Sequence, residues 1–298
     1  MSEEELSAWI RLVCTEGIGS ANARSLLMAF GLPQHIFSAT LLQLERVVPN
    51  HLAKALFLPP GKNITDQIEK TKAWTGRKDN HIITLGDPHY PASLLDTADP
   101  PVMLWASGKI QLLSSPSFAI TGSQSATHQG TLDSRRFAQA LGNAGYTIVS
   151  GMAPGIDAAA HQGGLNTTAS TIAVLATGAD TLVPPQNMKL ATQIAQEGCL
   201  ISEVPLGTPL IEENAIKRMR IITGLARGLL VVEAELYSKS MTAAHIAVEQ
   251  SKEVFAVPGS IHSALSRGTH RLIRQGAKLV ETEKDILEEL SATNARGR

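Results

Sequence analysis

Thr147-Ile148-Val149-Ser150-Gly151-Met152-Ala153-Pro154-Gly155-Ile156-Asp157 passes from a β-branched apolar run into a loop holding two glycines and a proline. The apolar run predicts a strand, and the spacing beyond Ile156 predicts a helix over 156–164. A strand that turns sharply into a helix is half of a βαβ unit. Its glycines let a ligand come close to the backbone, and the helix start offers N–H groups to an anion.

The same succession fills most of the chain. Val- and Ile-rich runs recur at 81–85, 102–106, 118–121, 146–150, 171–176, 199–203, 229–234, 253–258 and 277–281. Helical spacing separates the later runs, at 131–144, 187–197, 216–226, 240–250 and 267–275. Continuous apolar strands alternating with helices imply a parallel sheet covered on both faces. The fold class is therefore α/β, an extended Rossmann-like, doubly wound and mostly parallel sheet over 80–290. Residues 1–75 instead carry apolar residues three and four apart between Gly and Pro breaks, which predicts a small all-helical domain. Within it Glu16-Gly17-Ile18-Gly19, followed by Ala23, fits a helix-hairpin-helix turn that could meet a phosphate, or a tight turn with no ligand. Residues 291–298 read as a disordered tail.

The 298 residues carry a net charge of −1, with 43% hydrophobic and 18% charged residues. These proportions fit a globular chain and exclude a long-range pull on polyanions by total charge. The distribution is less even. Lys217, Arg218, Arg220 and Arg227 form one run without acids, and His262, Arg267, His270, Arg271, Arg274 and Lys278 form another. Two such runs lean toward a polyanionic partner. No stretch reaches the roughly 20 apolar residues of a membrane span, and the start is acidic, so a cytoplasmic location is expected. Cys14 and Cys199 are too far apart in sequence for a cysteine metal spacing, and no metal or cofactor is expected.

In a doubly wound sheet ligands bind beyond the carboxyl ends of the strands. Gly122-Ser123 and Ser150-Gly151 each follow a strand there and together make a phosphate cradle. Neither is a Gly-x-Gly-x-x-Gly or Walker fingerprint. Asp157 and His161 share a helix face behind Ser150, which suggests a hydrolase triad, yet no nucleophile elbow is present. Both are read as loop-ordering residues, and so are the strand-end carboxylates Glu203 and Glu233, for which acid and base roles are the alternative.

Taken together, FAITGSQSAT, YTIVSGMAPGIDAAAH, TIAVLATGAD with VPPQN, LISEVPLGTP, RMRIITGLA, LLVVEA, VFAVPGSI and LSRGTHRLIRQGAKLV resemble the DprA (Smf) DNA-processing family. The resemblance implies a non-enzymatic protein that binds single-stranded DNA during natural transformation, shields it, and loads RecA recombinase. It also implies a positively charged pocket and a homodimer through the later part of the sheet domain. The DNA-contacting positions it indicates are Gly122, Ser123, Gln124, Ser150, Gly151, Ala153, Gly155, Asn187, Lys217, Arg218, Arg220, Ser238, Lys239 and Ser240. Several depart from the family pattern. Gln124 stands where an arginine is expected, Ala215 where a stacking aromatic is expected, and the Ser-Gly-Ser-Leu turn reads Ser238-Lys239-Ser240-Met241. A winged-helix domain, common at the family's C-terminus, is not expected. Two other readings stand beside this one. The first is a nucleotide phosphoribohydrolase, although Val257-Pro258-Gly259-Ser260 lacks its second glycine. The second is a diverged paralogue with weak DNA binding and a protein partner.

Overall fold

The computed structural model describes residues 1–296. Nine strands form one sheet: β1 (Asn80–Thr84), β2 (Met103–Gly108), β3 (Ser117–Thr121), β4 (Thr147–Ser150), β5 (Thr171–Val174), β6 (Cys199–Ser202), β7 (Gly228–Val231), β8 (Glu253–Ala256) and β9 (Lys278–Leu279). Their spatial order is β1-β2-β6-β5-β4-β3-β7-β8-β9. From β6 to β9 every neighbouring pair is parallel. Every residue of β3 to β7 is buried, as two-faced coverage demands. The first two strands differ, because β1 pairs antiparallel with β2 and β2 antiparallel with β6. The link from β1 to β2 contains only a four-residue helix, Ala92–Leu95, so the chain returns directly instead of crossing over.

Helices α1 (Glu3–Cys14), α2 (Ser20–Phe30), α3 (Pro33–Ser38), α4 (Leu41–Glu45), α5 (Asn50–Phe57) and α6 (Lys62–Thr75) precede the sheet. Capping boxes start two of them, Ser2 with Glu5 and Thr40 with Gln43. Gly17 turns α1 into α2 at φ +79°, where a Cβ would meet Leu52 at 2.7 Å. The apolar faces of these helices do not close on themselves. Ile10, Leu12, Leu26, Leu44 and Leu56 share one cluster with Ile82, Met103 and Trp105 of the antiparallel strands.

Along the rest of the chain lie α7 (Ala92–Leu95), α8 (His128–Asn143), α9 (Ile156–Leu165), α10 (Met188–Glu197), α11 (Glu212–Lys217), α12 (Met219–Leu225), α13 (Lys239–Glu249), α14 (Arg267–Arg274) and α15 (Glu283–Arg296). One apolar cluster joins the sheet to α7, α12 and α13, and another joins it to α8, α9 and α15. The helix predicted over 216–226 is two helices that meet at Arg218, whose guanidinium turns to the Val174 carbonyl at 3.2 Å. Helix α15 extends to Arg296, through most of the expected tail; buried Ile286 and Leu290, four apart, hold it to the core, and 297–298 lie outside the described residues.

Polar contacts reinforce the apolar seam between α2 and the sheet. Arg24 pairs with Asp99 at 2.6 Å, Arg220 with Asp99 at 3.1 Å and with Glu203, and the Ser20 hydroxyl donates to Glu203 at 3.1 Å. Burial alone would raise the Asp99 carboxyl, yet Arg24 and Arg220 hold it below its ordinary value. Glu203 and Arg220 are both largely withdrawn from water, so removing one partner leaves the other poorly solvated. Glu203→Ala is expected to cost about 2 kcal/mol, reduced from the fully buried case because Arg220 keeps Asp99. Urea unfolding followed by circular dichroism measures it, and an unchanged midpoint would show that the seam does not depend on this pair.

Candidate nucleic-acid interface

A cleft of about 700 Å³ opens beyond the carboxyl ends of β3, β4, β5 and β7. Strand order reverses here, with β4 to β6 on one side of β3 and β7 to β9 on the other. This is where a doubly wound sheet leaves room for a ligand.

The loops at the rim are interlocked. Gly155, at φ +74°, is so close to the Ser123 carbonyl that a Cβ would collide with it, and the Ile156 amide donates to the same oxygen at 3.2 Å. The loop after β4 therefore braces the loop after β3. Glu233 fixes the latter from the other side, accepting from the Thr127 amide at 2.8 Å and hydroxyl at 2.6 Å. Thr127 in turn caps α8 through the Gly130 amide at 2.9 Å. Glu233 also touches the place a Gly130 Cβ would fill, so a carboxylate of the protein occupies the start of α8.

Helix α9 carries its own acid. Asp157 lies in the first turn, buried, accepting from the Thr121 hydroxyl at 3.0 Å. Burial raises its carboxyl above the ordinary range, against the opposing charge of Arg218 and hydrogen bonds from Thr121 and the Ala153 backbone. Arg218 is partly buried beside it, and desolvation lowers its guanidinium while Asp157 supports the charge. Its Nε has no hydrogen-bond partner among the described residues. A Cβ on Gly151 would stand 2.6 Å from both Arg218 Nη2 and Asp157 Oδ2. Glycine at 151 is what lets these charges meet across the strand end.

His161 sits behind them, wholly buried, with Nδ1 2.7 Å from the Thr171 hydroxyl and Nε2 against the Gly151 carbonyl. A carbonyl can only accept, so Nε2 carries the proton. Burial pushes the imidazole down to about 4, opposed by the Gly151 bond and aided by Arg218. The hydroxyl beside it, Thr171, is buried and donates to the Ile148 carbonyl at 2.7 Å, and Ser150 donates to the Ile120 carbonyl at 2.6 Å. The arrangement orders a loop; it is no triad.

Of the indicated positions, Gly122, Ser123, Gln124, Ala153, Arg218, Ser238, Lys239 and Ser240 line the cleft. Six do not. Ser150 and Gly151 are buried beneath it, Gly155 is spent on the loop contact, and Asn187 is buried and donates to the Met152 carbonyl at 2.9 Å. Arg220 turns to Asp99 and Glu203, and Lys217 stands 3.7 Å from Glu203. The positive pocket that the resemblance implies is also not found. Its charged lining residues are Arg218 and Lys239 against Asp157, Glu212 and Glu235. The second basic run lies elsewhere, with exposed Arg267, Arg271 and Arg274 on one face of α14.

The start of α13 is open toward the cleft. Ser238 precedes α13 without a side-chain cap, its hydroxyl donating instead to the Glu235 carbonyl at 2.9 Å. Ser238, Lys239 and Ser240 face the cleft together, and Lys239 Nζ is 3.6 Å from exposed Glu212. Sequence reasoning missed two things. Asp99 and Arg24, remote in sequence, give no signal of their role, whereas Tyr237 is visible in EAELYSKS as an aromatic in a rim loop.

The family model of DNA recombination-mediator protein A matches residues 81–291. The chain belongs to this family. It is 41% identical over 224 residues to the protein Smf of Escherichia coli K12, covering 75% of this chain and 60% of that protein. The chain thus spans less than two thirds of that relative's length. DNA processing protein A of Streptococcus pneumoniae has an X-ray structure of the same fold, with TM-score 0.82 and 30% identity, covering 95% of this chain and 97% of that one. DNA processing protein A of Helicobacter pylori, whose structure addresses its single-stranded DNA binding mode, matches with TM-score 0.64 and 28% identity over 72% of this chain and 97% of that one. In this family member, as in any chain, a buried neutral imidazole has a pH signature. With a folded value of about 4 against an ordinary 6.5, the unfolded state binds the proton first as pH falls. Its contribution, about 3 kcal/mol, is present above pH 6.5 and lost progressively toward pH 4. Urea midpoints of wild type and His161→Asn at pH 7, 5.5 and 4.5 should converge as pH falls; parallel curves would exclude a buried neutral His161.

Proposed function

We propose that this protein binds single-stranded DNA in the cleft, with a phosphate held at the open start of α13 by Lys239 and Ser240 and steadied from the floor by Arg218. The observation that carries this reading is the uncapped α13 start facing the cleft, beside helix starts already occupied by Glu233 and Asp157. An exposed helix N-terminus with a lysine and hydroxyls is an anion site by backbone dipole and charge together. Such contacts read phosphate and not base, so binding is independent of sequence. The single-stranded DNA binding mode of the Helicobacter pylori relative supports the choice of ligand.

On this reading the protein acts without catalysis, in the cytoplasm, as a homodimer that protects incoming strands and passes them to RecA; family membership supports these roles. No DNA contact is assigned to the turn before α2, because Glu203 already stands beside that helix start. Duplex is disfavoured where loops from four strands enclose the ligand. A second reading draws on the lining charges, two cations against three carboxylates: a diverged member with weak DNA affinity, retained for a protein partner.

Fluorescent oligo-dT titrated at 20 mM and 150 mM salt separates them. Binding at low salt is expected, weaker for duplex of equal length, and Lys239→Ala should reduce the salt slope by about 0.7. Absence of binding at low salt, with RecA still captured, would replace the first reading by the second.

A further inference from the structure

Tyr237 is fully exposed, at 100% of its possible surface, although it lines the cleft. A tyrosine normally withdraws its ring from water against protein neighbours, yet among the described residues Tyr237 has no ring contact, side-chain hydrogen bond or ion pair. It is the one aromatic residue lining the cleft among the described residues. Position 215, which also lines the cleft, offers no substitute, since Ala215 is buried and has no ring.

The ring's position is set by its loop. Two residues before it, Glu235 gives its carbonyl to Ser238 through both amide, at 3.3 Å, and hydroxyl, at 2.9 Å. Two residues before that turn begins, Glu233 is fixed to Thr127. Tyr237 is thus carried on a braced turn next to the open start of α13, one residue from Ser238 and two from Lys239. In a single strand the bases project from the phosphates. A phosphate held at Lys239 therefore leaves its base beside the nearest exposed π-face, and every base has a π-face of its own.

We propose that Tyr237 is the base-stacking residue of this cleft, the platform on which an unpaired base of the bound strand rests. The proposal deepens the single-stranded DNA reading and rests on it. An unpaired base is a better occupant than an apolar protein side chain because Lys239 and the α13 start adjoin the ring and demand an anion within one or two residues of it. Stacking is also indifferent to base identity, in keeping with phosphate contacts that carry no sequence information.

The test compares two probes of one length, a fluorescent 12-mer oligo-dT and the same backbone with abasic sites, against wild type, Tyr237→Ala and Tyr237→Phe at low salt. Tyr237→Ala should weaken oligo-dT binding about tenfold while leaving the abasic probe unchanged, and Tyr237→Phe should bind both as wild type does. Because the side chain has no protein contacts to lose, thermal unfolding of all three should coincide. If wild type binds oligo-dT but Tyr237→Ala binds it equally well, or weakens both probes alike, stacking at Tyr237 is overturned and the DNA reading stands. If wild type binds neither probe, the DNA reading fails and the stacking proposal with it.

Discussion

Helix starts demand anions, and the layout of this protein follows from how that demand is met. Each start leaves N–H groups unsatisfied and a partial positive charge. Glu233 reaches α8 through Thr127, Asp157 sits in the first turn of α9, and Glu203 reaches the first residue of α2. Each carboxylate does a second thing as well. Glu233 ties β7 to the β3 loop, Asp157 supports a buried guanidinium, and Glu203 holds Arg220 against the helical segment. Internal anions thus serve as fasteners at these three starts, whereas the start of α13, which has none, faces the cleft.

Burial sharpens this division. A guanidinium and a carboxylate withdrawn from water interact strongly but cost much to desolvate, so Arg218 and Asp157 persist only in a rigid frame. Gly151, His161 and the Gly155 contact with Ser123 supply it. Among the described residues the buried Arg218 Nε has no partner, so the frame leaves part of this charge unsatisfied.

Much of this was legible in the chain. All nine strands appear where apolar runs predict them, and the runs are clearest in β3 to β7, because strands buried on both faces must be apolar throughout. The antiparallel pairing of β1 and β2 was not, since strand direction depends on the connection and not on the strand's own residues. Within the cleft, glycines and hydroxyls located the loops, but not which of them face the ligand. Arg218 and Arg220 are alike in sequence and part company in space, one to Asp157 beneath the cleft, the other to Asp99 and Glu203. Their partners lie 61 and 121 residues away for Arg218 with Asp157 and Arg220 with Asp99, beyond the reach of any local pattern.

Arg218 marks the junction of α11 and α12, and Arg220 follows in the next half-turn. One short bend therefore bears both the floor of the cleft and the clasp on the helical segment. Arg24 of α2 and Arg220 share the Asp99 carboxylate. The helical segment, far from the cleft in sequence, is therefore fastened to the same short bend whose other arginine floors the cleft.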